Sequence, residues 1–288
     1  VAGPAVVERA FGKLMTKEEL GGSKIHSQNG VADNIAEDET DAFKQIRQFL
    51  EFFPQNIYEI PERKLSEDPI NREQEELLSI VPKDRKKSYE MRDIIKYVFD
   101  EASFFEMTKF FGRGIITGFA RINGYSVGIL ANDSNFYAGS MSADGAKKTA
   151  RFVRTCDTFN IPIVSLVDEP GFLIGPEAES QATILYGTEA VLAVTESTVP
   201  WSTVMIRKSF GVAAAAHYGP DGYVLAWPSA ESGPLPLEGG VAVAFKKEIE
   251  SAKDPEAKRK EIEQKMSKNQ NPFPRAESFS VHEIIDPR

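Results

Sequence analysis

Two short stretches hold the residues best placed to do chemistry. Asp168-Glu169-Pro170-Gly171-Phe172 follows the apolar, β-branched run Ile163 to Val167, and Arg207-Lys208-Ser209-Phe210-Gly211 follows a second run, Ser202 to Ile206. Each reads as a buried strand, a tight Gly-containing turn and a helix that starts at once. The first backbone N–H groups of a helix have no partner inside it. Aimed at a developing oxygen anion, such donors stabilise negative charge without any side chain. Side chains offer less here. Asp168 and Glu169 are adjacent carboxylates, which a strand sends to opposite faces, and that argues against a shared acid–base pair. His217, just past the run Ala213 to Ala216, reads either as a general base or as a structural residue.

The elements that must position these turns can be read from pattern. Strands separated by helical segments predict a covered parallel sheet, whose ligands sit beyond the carboxyl ends of its strands. Upstream, Asn123-Gly124 between two apolar runs predicts a β-hairpin over residues 114–131. Ser142 is placed to cap a helix with Ala146, Thr149, Ala150, Val153 and Cys156 on one face, and Asn160 to leave it in a left-handed conformation. Asp38 to Thr40 start a helix whose Phe43, Ile46, Phe49, Leu50 and Phe53 follow helical spacing until Pro54. A helix near residues 89–99 is predicted to bury Met91, Ile94, Ile95 and Val98. Between these two helices, residues 55–85 are rich in Pro and charge and lack a period, as in a linker crossing a surface. Thr16 and Glu19 have capping-box spacing, Gly21-Gly22 reads as the end of that short helix, and His26 falls in a polar loop. Towards the end, Tyr223 to Trp227 reads as a strand, Gly239-Gly240 opens a helix, and Asp254-Pro255 starts a polar surface helix.

Composition narrows the class. The 288 residues are 41% hydrophobic and 27% charged, ordinary for a globular protein. A net charge of −9 with no Lys/Arg block disfavours nucleic acid as partner. The lone Cys156 excludes an internal disulfide and a multi-cysteine zinc site, and its spacing with Phe152 and Phe159 makes it a core residue; no metal is expected. No apolar run approaches the ~20 residues that span a bilayer, and no signal-peptide pattern opens the chain. The expected location is therefore cytoplasmic or the mitochondrial matrix, without membrane contact.

AGSMSADGAKKTARFVRTCDTFNIPIVSLVDEPGF (residues 138–172) and STVPWSTVMIRKSFG (residues 197–211) resemble the C-terminal half of biotin-dependent acyl-CoA carboxylase carboxyltransferases, propionyl-CoA carboxylase β-type chains included. The likeness extends with falling fidelity over the whole chain, and residues 3–43 resemble the end of that family's N-terminal domain. The resemblance implies an α/β, crotonase-like spiral of ββα units. It divides the chain into the end of the N-terminal carboxyltransferase domain (1–54), a linker (55–88) and the C-terminal, biotin-side domain (89–288). It implies transfer of a carboxyl group from carboxybiotin, borne on a separate carrier, to the α-carbon of an acyl-CoA. A biotin carboxylase and a biotin carrier subunit are the implied partners, and a homo-oligomer, a hexamer, the implied assembly. The family's biotin-side motif, Phe-Gly-Gly-Ala, falls on Phe210-Gly211-Val212-Ala213, which makes the Val212 and Ala213 amides the oxyanion donors. Gly171 and Phe172 fall on a second landmark, where Phe172 packs near the ureido ring. The family's acyl-specificity position falls on Ala215.

The chain also departs from the family. Val212 stands where relatives have a second Gly, and the amide survives that exchange only if the turn keeps φ below zero at Val212. Leu235 to Gly240 replace a Met-Gly-x-x-Gly-Ala motif. The short Ala215 either admits a bulkier acyl group or lets a helix pack closely. Three other readings stay open: the carboxyltransferase subunit of an acyl-CoA decarboxylase, an acyl-CoA hydratase or isomerase using the carboxylates, and a scaffold that has lost its chemistry.

Overall fold

The computed structural model describes residues 2–288. Its centre is a sheet built from a hairpin and a run of parallel strands. β1 (Phe105–Met107), β2 (Ile115–Ile122) and β3 (Tyr125–Asn132) are antiparallel. Asn123 and Gly124 close the β2–β3 hairpin with φ of 49° and 79°, the mirror-image turn that matches strand twist. Asp100 fixes it by accepting both turn amides at 2.8 Å. β4 (Ile163–Glu169), β5 (Trp201–Phe210) and β6 (Tyr223–Ala226) then add in parallel, with β8 (Glu283–Ile284) on β6 and β7 (Glu231–Gly233) on the far end of β5.

Parallel neighbours need crossovers. The helix Ala143–Thr158 joins β3 to β4, and the helix Thr183–Thr195 lies between β4 and β5. Both pack on one face of the sheet with Phe119, Leu130, Ile163 and Trp201, and Phe52 closes that core. On the other face Ile116, Ile129, Leu166 and Ile206 meet Met91, Ile94, Ile95 and Phe99. Burial on both faces explains why the strands read as unbroken apolar runs rather than alternating ones. Ser142 caps its helix at the Gly145 amide and Asn160 leaves it at φ 56°, both as the sequence predicts. Cys156 is fully buried, and burial pushes its thiol well above the usual range. It presses on β3 so closely that a Cβ at Gly128 would lie 2.6 Å from its sulfur.

Several expectations change. Phe43, Ile46 and Leu50, on the helix Glu39–Leu50, are 58%, 53% and 59% exposed. Within the helix itself, Phe49 is the member of that stripe that meets the core. Phe52 and Phe53, in the turn that follows, complete the contact, Phe53 lying 5.0 Å from both Phe119 and Phe159. Val98 ends the helix Met91–Val98 with 40% of its surface open. His26 belongs to a helix, Ser23–Gln28, because Gly22 both ends the preceding turn and starts the next with extended backbone (φ −67°, ψ 172°). The helix expected from Gly239 begins earlier, at Leu237, directly after Pro236. Residues 55–88 run over the surface with one short helix, Leu77–Ile80, and Asp254 caps the helix Pro255–Gln270 at the Ala257 amide.

A residue that periodicity did not flag holds the loop before β2. Lys148, on the buried side of the Ala143–Thr158 helix, donates to the carbonyls of Thr108, Phe111 and Ile115 at 2.9, 3.1 and 2.6 Å. Burial pushes its ammonium down to about 7, against the nearby Glu106 carboxylate.

Candidate active site at the carboxyl ends of the central strands

The two turns lie side by side at the ends of β4 and β5, and two buried carboxylates set their geometry. Val167 pairs with Met205 but Glu169 with Ser209, so β5 bulges across residues 206–208. Such a bulge re-aims the end of a strand. Asp168 fills it: its Oδ1 accepts the Lys208 amide at 3.0 Å, and its carboxylate meets the Arg207 guanidinium at 2.8 Å, both side chains covered. Arg207 also donates to the Lys87 carbonyl and lies over the Tyr89 ring, whose hydroxyl is pushed up by burial and by Asp168.

Glu169 points to the opposite face, as strand geometry requires. Its Oε1 accepts the Gly171 amide at 2.9 Å and the Met141 amide at 3.3 Å, and its Oε2 accepts Asn132 Nδ2 at 3.0 Å. Burial raises this carboxyl's pKa, and the His217 imidazole offsets part of the rise. Both carboxylates are fully buried and engaged, so neither faces a ligand. An acyl-CoA hydratase or isomerase acting through them has no support in this geometry.

After β4 no helix starts at once, contrary to the sequence expectation. Gly171 takes φ +129°, and the chain stays extended because Phe172 pairs with Met141: the Met141 amide donates to the Gly171 carbonyl and the Leu173 amide to the Met141 carbonyl. Helices follow only at Pro176–Ser180 and Thr183–Thr195. The Phe172 ring lies on the second of these, where a Cβ at Gly187 would be 2.4 Å from it.

After β5 the chain does turn directly into a helix, of the tighter 3₁₀ kind, Val212–His217. Phe210 is fully buried, so its ring anchors the turn. Gly211 adopts φ 65°, ψ −165°, a conformation essentially reserved for glycine, and its amide donates to the Gly233 carbonyl at 3.1 Å. Positive φ thus falls on Gly211 and not on Val212, so valine is compatible with the turn. Among the described residues, neither the Val212 nor the Ala213 amide donates a hydrogen bond within the chain. Their settings differ: Val212 is 71% exposed, whereas Ala213 is 0% exposed. A 3₁₀ helix repeats every three residues, which brings Ala215 onto the exposed edge with Val212.

Beside this corner a cleft of about 340 Å³ is bounded by Ala138, Pro170 and Pro236, with Lys86, Lys87 and Lys208 on its rim. Asn132, Ser165 and Met141 support the turns without having been singled out in the sequence, and Arg207, which was, acts as support rather than as a reactive group. Only a polar Asn132-Asp133 pair closing an apolar strand hinted at one of them.

A hairpin-plus-parallel-strand spiral, with helices in its crossovers and unpaired amides where β5 enters its helix, defines an α/β protein of the crotonase-like class. The carboxyl transferase domain model matches residues 1–288, and the chain belongs to that family. It is 40% identical over 293 residues to the propionyl-CoA carboxylase carboxyltransferase subunit of Haloferax mediterranei, matching 100% of this chain and 57% of that protein. It is 37% identical over 294 residues to the methylmalonyl-CoA decarboxylase subunit alpha of Propionigenium modestum, with the same coverage of 100% and 57%. Among solved structures, a hexameric transcarboxylase 12S with methylmalonyl-coenzyme A and methylmalonic acid bound superposes with a TM-score of 0.93 at 37% identity. That match covers 99% of this chain and 56% of the other. The chain therefore spans somewhat over half the length of these relatives. Among the described residues, no helix is long and apolar enough to cross a membrane.

Proposed function

We propose that the chain carries the biotin side of an acyl-CoA carboxyltransferase, moving a carboxyl group between carboxybiotin and the α-carbon of an acyl-CoA. One observation carries this reading: the unpaired amide of Val212, an exposed residue at the start of a helix, on a turn that Gly211 holds in a glycine-only conformation. An oxygen seated there takes its hydrogen bond from Val212. Ala213, covered by its neighbours, adds its amide dipole from behind. Carboxybiotin, brought by a carrier protein, supplies the carboxyl group, and the chain's role is to hold negative charge on the ureido oxygen as that group leaves. In this reading Gly171 and Phe172 lie near the ureido ring, and Ala215, beside Val212, limits the acyl group. Residues 1–54, 55–88 and 89–288 serve in this reading as the end of a CoA-side domain, a linker and the biotin-side domain. The implied partners are a biotin carboxylase, a biotin carrier subunit and further copies in a hexamer, in the cytoplasm or mitochondrial matrix.

The test is carboxyl transfer from a ¹⁴C-labelled malonyl-type CoA ester to free biotin by the assembled enzyme. Label recovered in carboxybiotin is the expected outcome; hydrolysis or no transfer contradicts the proposal. The likeness to a methylmalonyl-CoA decarboxylase subunit favours a second reading, the same half-reaction run in reverse. ATP-dependent bicarbonate incorporation against sodium-dependent decarboxylation separates the two. A chain without chemistry has less support, because a scaffold has no need of an unpaired amide at that turn.

A further inference from the structure

We infer that Glu169 and His217 are positioning residues that bridge the two turns and set how well the Val212 amide meets a biotin oxygen; the inference rests on the function proposed above. Glu169 grips the first turn through the Gly171 and Met141 amides. Its other oxygen lies 3.6 Å from Nε2 of His217, the last residue of the helix whose first residues are Val212 and Ala213. The rest of His217 is tied down. Its Nδ1 lies 2.9 Å from Ser165 Oγ on β4, and its carbonyl accepts Trp201 Nε1 at 2.9 Å and Thr203 Oγ1 at 2.8 Å on β5. Among the described residues, the buried Nε2 finds no hydrogen-bond partner.

This arrangement is expensive to build and hard to explain as packing alone. A fully buried carboxylate and a fully buried imidazole are retained in a core where apolar residues would pack more cheaply. The 3.6 Å separation is just outside hydrogen-bond range, and a shift of about half an ångström closes it. Glu169 thus links the turn at Gly171 to the carboxyl end of the 3₁₀ helix, and that short helix transmits the constraint to its own N-terminal amides. His217 is covered, so it acts on the ligand only through the helix it ends.

The experiment measures free biotin binding through the ¹⁵N–¹H signal of Val212 in the chain and in Glu169→Gln, His217→Gln and Ser165→Ala. Glu169→Gln keeps an oxygen for the Gly171 and Met141 amides while placing an NH2 group where an oxygen faced His217 Nε2 and Asn132 Nδ2. Ser165→Ala removes one hydroxyl and serves if the larger changes prevent folding. The expected result is biotin affinity weakened about three- to thirty-fold in variants whose thermal transition stays near that of the wild type. In the assembled enzyme KM for free biotin rises, while KM for the acyl-CoA ester stays within about two-fold, a split that a merely structural defect does not give. Folded variants with wild-type biotin affinity, or equal losses on both substrates, overturn the inference. If the wild-type signal itself ignores biotin, the proposed function fails instead, so the two failures are distinguishable.

Discussion

Val212→Pro removes a single N–H group from the turn and changes little else. Among the described residues the amide has no acceptor, so no internal hydrogen bond is lost. Val212 is the first residue of its helix, where proline is tolerated, and its side chain is 71% exposed, leaving room for the ring. Gly211, with ψ −165°, already has the extended backbone that a following proline demands. Exposed substitutions of this kind stay within about 0.5 kcal/mol, or roughly 1–2 °C in a protein of this size. Losing one preorganised donor to a developing oxyanion costs about 10²–10³ in turnover, ~3–4 kcal/mol. The assay is carboxyl transfer between a labelled malonyl-type CoA ester and free biotin, with Val212→Ala, which keeps the N–H, as control. Near-normal turnover by a folded Val212→Pro enzyme refutes the assignment. Ala213→Pro is the poorer probe, because Ala213 is fully covered and the added ring must displace its neighbours.

Three further outcomes test the frame around that turn. Asp168→Asn leaves the buried Arg207 guanidinium without its counter-charge and is expected to lower unfolding free energy by about 3–5 kcal/mol in denaturant titrations. Gly128→Ala places a Cβ 2.6 Å from the Cys156 sulfur and 3.2 Å from the Phe152 ring, and is expected to cost about 1–3 kcal/mol. Adding Cys156→Ala recovers part of that loss, which a double-mutant cycle reads directly. Lys148 titrates near 7 when folded and at 10.5 when unfolded, so between those values the unfolded chain binds more protons. Its contribution to stability therefore rises from about pH 7 towards pH 10, by up to about 1.4 kcal/mol per pH unit. The stability difference between wild type and Lys148→Met, followed over that range, checks both sign and window.

Much of this architecture was legible because its signals are local. Asn123-Gly124, Ser142, Asn160 and Asp254 act on backbone within a few residues, and the strands of a twice-covered sheet read as plain apolar runs. The candidate turn was legible because its geometry is also local: a Gly between a buried strand and a helix. What escaped depends on distant partners. The bulge in β5 exists because Asp168 meets Lys208 and Arg207, 39 to 40 residues away, and no spacing rule reveals it. The extended path after Gly171 depends on Met141, and the exposure of Phe43, Ile46 and Leu50 on which side of their helix meets Phe119. His217 could be read as base or as structural from sequence. Its complete burial, and its position between Ser165 and Glu169, favour support of the turn over proton transfer to a ligand.

The most direct measurement is the ¹⁵N–¹H signal of Val212 as free biotin is added to the chain. The expected result is a saturable downfield shift of the Val212 amide proton, larger than that of surrounding amides and absent with an analogue lacking the ureido oxygen. A Val212 signal that stays fixed while biotin binds elsewhere, or a protected amide that exchanges slowly without ligand, contradicts it.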